Sequence, residues 1–225
     1  MVDFSSVKAI TIPNGNVKKI TKNNIVLWEK DSSRLPSEYQ EVEYIESSGT
    51  QYINTQYIIN SNVRFELKTS ISSFAGGSWH TLFGGRMYWN SSDAFDIGYS
   101  ASGYMYVNIG GVNPSVYTNI SLNTVYEIVA DKDKTIVNGN VSSYSSSLTS
   151  GTYNIYLFAL NNLGSVDEYG RIKIYTFKIY EGDTLVKDYV PCYRKADNVI
   201  GMYDTVTNTF LTNAGSGTFT KGADV

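Results

Sequence analysis

RIKIYTFKIYEGDTLVKDYVPCY, residues 171–193, reads as a strand, a tight turn and a second strand. Ile, Tyr, Val and Thr dominate both arms, and Gly182-Asp183 supplies the positive φ that a two-residue hairpin needs. One detail breaks simple alternation. Lys173 and Lys178 lie five apart and cannot share a face of a regular strand. Either a bulge intervenes or part of one face is wet.

The same pattern recurs in both directions. VKAITI, NIVLWE, QEVEYI, TQYINT, NVRFELKTSI, HTLFGGRMYW, AFDIGYS, YMYVNIG, TVYEIVAD, KTIVNG and TYNIYLFAL precede this hairpin, and VIGMYD and TFLTN follow it. Gly, Asn and Ser clusters separate them, and Asn138-Gly139 marks another tight turn. No window of a dozen residues carries a helical period. Many short strands with such turns predict an all-β antiparallel sandwich or jelly roll.

The bulk numbers narrow the function classes. With 225 residues, 42% of them hydrophobic, the chain can build one sizeable β-domain and a small appendage. Nothing resembles a signal peptide, and the longest apolar stretch, IYLFAL, is too short to span a membrane. A soluble chain that is not exported by a cleaved leader is the expectation. A net charge of -3, with no basic run beyond Lys18-Lys19, argues against nucleic-acid binding. The single cysteine, Cys192, excludes an internal disulfide and reads as a small buried apolar residue. Nineteen tyrosines suit strands and also exposed recognition surfaces.

DSSRLP, near residues 31–35, breaks the strand pattern with Ser and Pro36. Residues 1–33 are expected to be a hairpin segment and residues 34–225 the sandwich. About thirty residues cannot bury a core of their own, so the hairpin is expected to dock on a partner rather than extend the main sheet.

Three stretches carry a family resemblance: VKAITIPNGNVKKITKNNIVLWE at 7–29, LPSEYQEVEYIESSGTQYINT at 35–55, and RIKIYTFKIYEGDTLVKDYVPCYRKADNVIGMYDTVTNTFLTNAGSGTF at 171–219. They resemble phage and prophage tail-associated proteins, in which a short hairpin precedes a concanavalin A-like, laminin G-like sandwich. The resemblance implies two antiparallel sheets, one concave, in a virion tail or baseplate protein that attaches to surfaces. It further implies a receptor-binding or adhesion module for bacterial surface glycan, tail-protein partners through residues 1–33, and a homo-oligomer. Residues 72–150 match only in general character. Calcium and sugar sites occur in the wider superfamily, but no ligand signature matches here residue by residue, and no cofactor is called for. A structural decoration or assembly protein without glycan binding is the alternative in the same setting.

A catalytic alternative rests on EVEYIESSG, residues 41–49, whose Glu41, Glu43 and Glu46 resemble the carboxylate order of some β-sandwich glucanases. Strand alternation puts Glu41 and Glu43 on one face, and Val42, Tyr44 and Glu46 on the other. Only a bulge would bring Glu46 round to complete a hydrolytic set. The middle residue is Glu43 where the glucanases have aspartate, and no tryptophan is near. The expectation is Val42 and Tyr44 in the core, the glutamates in water, and no enzyme. The only histidine, His80, cannot alone build a familiar zinc site, and no G-x-S-x-G elbow is present.

Binding residues are expected in WHTLFGGRMYWNSSDAFDIGYSASGYMY, residues 79–106. A shallow sugar site needs a flat aromatic ring for C–H faces and Arg, Asp or Asn for hydroxyls. Arg86, Tyr88, Trp89, Asp93, Asp96 and Tyr99 offer that chemistry. Trp79, Phe83, Tyr88 and Phe95 could equally be core. The Ser/Tyr stretch 140–154 reads as an ordinary solvated loop.

Overall fold

A computed structural model describes residues 19–22, 25–29, 34–114 and 119–225. Strands β1 (Lys19–Lys22) and β2 (Ile25–Glu29) pair antiparallel as a separate two-stranded sheet. VKAITI, the turns at Asn14-Gly15 and Asn23-Asn24, and most of DSSRLP lie outside the described residues. The remaining strands are β3 (Tyr39–Glu41), β4 (Ile45–Glu46), β5 (Ile53–Ile58), β6 (Val63–Ile71), β7 (Trp79–Arg86), β8 (Phe95–Ser100), β9 (Met105–Ile109), β10 (Val125–Asp131), β11 (Lys134–Val137), β12 (Asn140–Ser143), β13 (Asn154–Leu157), β14 (Leu160–Asn162), β15 (Ser165–Asp167), β16 (Ile172–Glu181), β17 (Thr184–Arg194), β18 (Val199–Asp204), β19 (Thr209–Thr212) and β20 (Thr220–Lys221). No helix occurs among the described residues.

Two large sheets face each other. One runs β12-β11-β10-β6-β16-β17-β18-β19, joined by β3, β4 and β20; the other comprises β5, β7, β8, β9, β13, β14 and β15. Phe65 on β6 and Phe177 on β16 meet Phe83 on β7 and Phe95 on β8, with ring centroids 4.6–6.1 Å apart. All four rings are fully buried, so this aromatic knot is the inter-sheet core. Alternation delivers them: on β6, Val63, Phe65 and Leu67 turn inward while Arg64, Glu66 and Lys68 stay partly wet.

The opening hairpin folds as read, and the lysine puzzle has a geometric answer. β16 pairs with β17 across Gly182, whose φ is +58°. Its register against β6 shifts between Ile174 and Thr176. That bulge resets the alternation, so Ile174 and Phe177 both point inward and Lys173 and Lys178 share the outer face. Asn138 and Gly139 take φ of +48° and +82°, the pair of values a type I′ turn demands.

Two expected strands are broken. TYNIYLFAL stops at Phe158, which adopts φ of +67°. Its N–H donates to the Leu82 carbonyl at 2.9 Å and its own carbonyl accepts from Gly170 at 2.7 Å, while the ring packs on Phe219. Tertiary partners therefore hold a conformation that phenylalanine rarely adopts. QEVEYI breaks at Glu43-Tyr44, so that Val42 and Ile45, three apart, are both buried. Tyr44 leaves the core, contrary to expectation, and lies edge-on to Tyr175 under the Lys173 ammonium.

This break also turns Glu46 away from the core, but the three glutamates have separate duties. Glu41 accepts three bonds from Arg34, at 2.6, 3.0 and 3.2 Å. Glu43 reaches the Ala223 N–H at 3.4 Å, and Glu46 accepts from Ser72 Oγ at 2.6 Å and Thr220 Oγ1 at 3.4 Å. β3 is zipped to β17, whereas β4 is zipped to β16 and β20. Glu41 and Glu43 line one cleft of about 590 Å³, and Glu46 is not among its walls.

Candidate functional site

The outer face of β7-β8-β9 is polar where the inner face is apolar. Phe95, Ile97 and Tyr99 point into the core, so Asp96 and Gly98 point out, as do Tyr106 and Asn108 opposite them on β9. Gly98 is what lets Tyr106 lie across the sheet. A Cβ at Gly98 would stand 2.5 Å from the Tyr106 ring and 2.1 Å from the His80 carbonyl. The phenol thus reaches Thr81 Oγ1 at 2.8 Å and Glu168 Oε2 at 2.9 Å.

Beneath and beside that ring sits a charge network. Arg86 Nη1 donates to Asp96 Oδ1 at 2.8 Å, and Nη2 to Glu168 Oε1 at 3.1 Å. Asn108 Nδ2 donates to the other Asp96 oxygen at 2.8 Å, leaving its own Oδ1 buried without a partner among the described residues. Burial pushes the Asp96 carboxyl up to about 7; Arg86 pulls it back only part of the way, and Glu168 raises it further. Burial works against the Arg86 charge, and the two carboxylates more than offset it. Burial and the same carboxylates raise the Tyr106 phenol, which stays a hydrogen-bond donor.

Two tryptophans flank this floor. Trp79 is 51% exposed and meets Tyr106 edge-on at 5.4 Å; Trp89 is 43% exposed and meets it tilted at 5.6 Å. The Trp89 ring also lies 4.9 Å from the Arg86 guanidinium carbon, a cation–π contact. Placed end to end, the two centroid distances set the indoles no more than about 11 Å apart. Beside Trp79 opens a cleft of about 380 Å³, lined also by Asp167, Glu168, Tyr169 and Arg171. That volume lies within the range of small-ligand sites.

The six expected residues divide sharply. Trp89 joins the aromatic face, and Arg86 lies under it, 6% exposed. Asp96 is fully buried and serves as the Arg86 counter-ion, out of a ligand's reach. Tyr99 is core: its ring stacks on His80 and its hydroxyl accepts from the Arg171 N–H at 2.9 Å. Tyr88 is 59% exposed in the β7-β8 loop, and Asp93 bonds to Ser91 in that loop. Trp79, Tyr106 and Glu168 were not among the six. Strand parity signals the first two; Glu168 arrives from a turn after β15 and leaves no local mark.

The other reactive candidates are structural. His80 is buried, with Nδ1 2.9 Å from the Tyr169 carbonyl and Nε2 3.3 Å from that of Phe74, so it ties two loops together. Burial pushes the Cys192 thiol up to about 12, which leaves little thiolate at neutral pH. In the Ser/Tyr stretch, Tyr144 is anchored through Thr135 and the Asp131 carbonyl. No cluster of three or more potential metal ligands occurs among the described residues.

The fold is an antiparallel β-sandwich of jelly-roll type. No protein family matches the sequence, and no curated protein is similar to it. Among solved structures, a Bacteroides ovatus protein whose proposed role is carbohydrate binding superposes with a TM-score of 0.54 at 12% identity, over 82% of this chain and 62% of its own. The chain thus spans less than two thirds of that protein. The Ruminococcus gnavus IT-sialidase CBM40 bound to α2,6 sialyllactose gives a TM-score of 0.46 at 14% identity over 67% and 93% of the two chains. The heptameric SAP-like pentraxin of Limulus polyphemus gives 0.48 at 8% over 81% and 95%. At such identities the likeness to the first establishes the sandwich fold.

Proposed function

We propose that this protein is a non-catalytic carbohydrate-binding module whose ligand rests on the Trp79-Tyr106-Trp89 face. The observation that carries the reading is the pair of half-exposed indoles held on either side of a tyrosine whose hydroxyl is already tied down. Indoles offer flat apolar faces to sugar C–H groups, and their exposure costs free energy unless a ligand covers them. Glu168 and the adjoining cleft supply acceptors for hydroxyls. The carbohydrate-binding role proposed for the Bacteroides ovatus neighbour supports the same reading. Titration calorimetry against hits from a glycan array tests it. Trp79→Ala and Trp89→Ala are each expected to weaken binding at least about tenfold, or 1.4 kcal/mol; unchanged affinity in both variants refutes this face as the site.

The finer setting is adhesion of a phage or prophage tail to a bacterial surface glycan. The stretches at 7–29, 35–55 and 171–219 support it, with residues 1–33 attaching the module to a tail or baseplate partner, or to its own copies, in the virion. Multiple copies would convert weak sugar contacts into firm attachment. Deleting residues 1–33 tests this: loss of incorporation into particles supports the docking role, and normal incorporation removes it.

A further inference from the structure

We infer that the Trp79-Tyr106-Trp89 face takes uncharged glycans and rejects acidic ones, an inference that rests on the carbohydrate-binding reading above. The guanidinium groups at this face already have partners. Arg86 is spent on Asp96 and Glu168 and is roofed by Trp89. Arg171, in the adjoining cleft, donates through Nε to the Ala75 carbonyl at 2.8 Å and through Nη1 to the Ser48 carbonyl. Its guanidinium lies against Gly49 and Gly76, which adopt φ of +103° and +108°, and it clamps those two loops. His80 lies behind, with both ring nitrogens on carbonyls.

What the face does present is acceptor oxygen. Glu168 keeps a partly exposed carboxylate, and Asp167 shares its cleft. Carboxylates accept hydrogen bonds and donate none, so they suit the hydroxyl and amide N–H groups of a neutral sugar. A uronate, sialate or phosphate would bring its charge beside these carboxylates and give up its water where Arg86 is already paired and Arg171 is held by loop carbonyls.

The test uses the full chain on an array that carries uncharged and acidic glycans side by side. It is followed by calorimetry on matched pairs: lactose against sialyllactose, and methyl-esterified oligogalacturonate against the free acid. Hits confined to uncharged glycans, with each acidic counterpart at least tenfold weaker, are the expected result. Glu168→Gln, which removes one charge while keeping an acceptor, is expected to narrow that gap. Acidic glycans that bind as tightly as their neutral counterparts, with binding lost in Trp79→Ala, would overturn this inference while leaving the module a carbohydrate binder. No binding to any glycan would remove the broader reading and this inference with it.

Discussion

Asp96→Asn is the sharpest probe of the network under the aromatic face. The carboxyl is fully buried, and its pKa rises from the ordinary 3.8 to about 7, chiefly through burial. The folded state therefore holds a proton on Asp96 that the unfolded state releases between about pH 4 and 7. An acid raised in this direction makes stability fall as pH climbs through that window and level off above it. At 1.36 kcal/mol per unit, the roughly three-unit shift corresponds to a contribution on the order of 4 kcal/mol. Asparagine keeps the shape without the charge. Its oxygen can still accept from Arg86, which retains Glu168, and its amide can donate to the Asn108 oxygen that now lacks a partner once that side chain turns over. Urea unfolding followed by tryptophan fluorescence, at fixed ionic strength from pH 4 to 8, reads the difference between the two proteins. The expectation is near-equal stability at pH 4 and an advantage to the variant that grows toward pH 8. A difference that does not change with pH would rule out a raised Asp96 pKa in the folded protein. A loss of about 3–5 kcal/mol at pH 8, the usual result of removing one partner from an indispensable buried pair, would refute the reasoning.

Other outcomes follow from single contacts. Gly98→Ala forces a Cβ to within 2.1 Å of the His80 carbonyl and displaces Tyr106; it is expected to cost about 1–3 kcal/mol in denaturant unfolding and to abolish glycan binding. Phe65→Ala empties the centre of the inter-sheet knot and is expected to cost about 3–5 kcal/mol, with a matching fall in the urea midpoint. Cys192 is expected to stay unreactive toward a thiol reagent in the folded protein and to react at once in urea. Reducing-end assays on β-glucans are expected to show no release by the wild type; release that Glu41→Gln abolishes would restore the hydrolase alternative.

The sandwich was legible because its signals are local. The turn chemistry at Asn138-Gly139 and Gly182, and the five-residue lysine spacing that pointed to either a bulge or a wet face, each follow from a few adjacent residues. What escaped the sequence depends on distant partners. Phe158 takes a left-handed conformation because Leu82 and Gly170 hold its backbone, and neither is near it in sequence. The break after Glu43 exists because β4 is drawn into a fork with β16 and β20 while β3 stays on β17.

The candidate face was partly legible, and the residues left out of it follow from strand parity. Asp96 and Tyr99 are three apart on one strand, so a regular β8 cannot offer both to the same ligand. With Phe95 and Ile97 in the core, Asp96 must take the outer face and Tyr99 the inner one. The same parity points from Gly98 across the ladder to Tyr106, where a missing side chain makes room for a flat ring. Composition picked out Arg86 and Asp96 as ligand groups because arginine and aspartate do bind sugars. Burial instead makes them the rigid support of the floor, and in the proposed function recognition passes to the indoles that stand clear of it. A charged pair locked under an aromatic face costs stability at neutral pH, and what it secures is the position of Tyr106 and Trp89 before any ligand arrives, which lowers the ordering cost of binding.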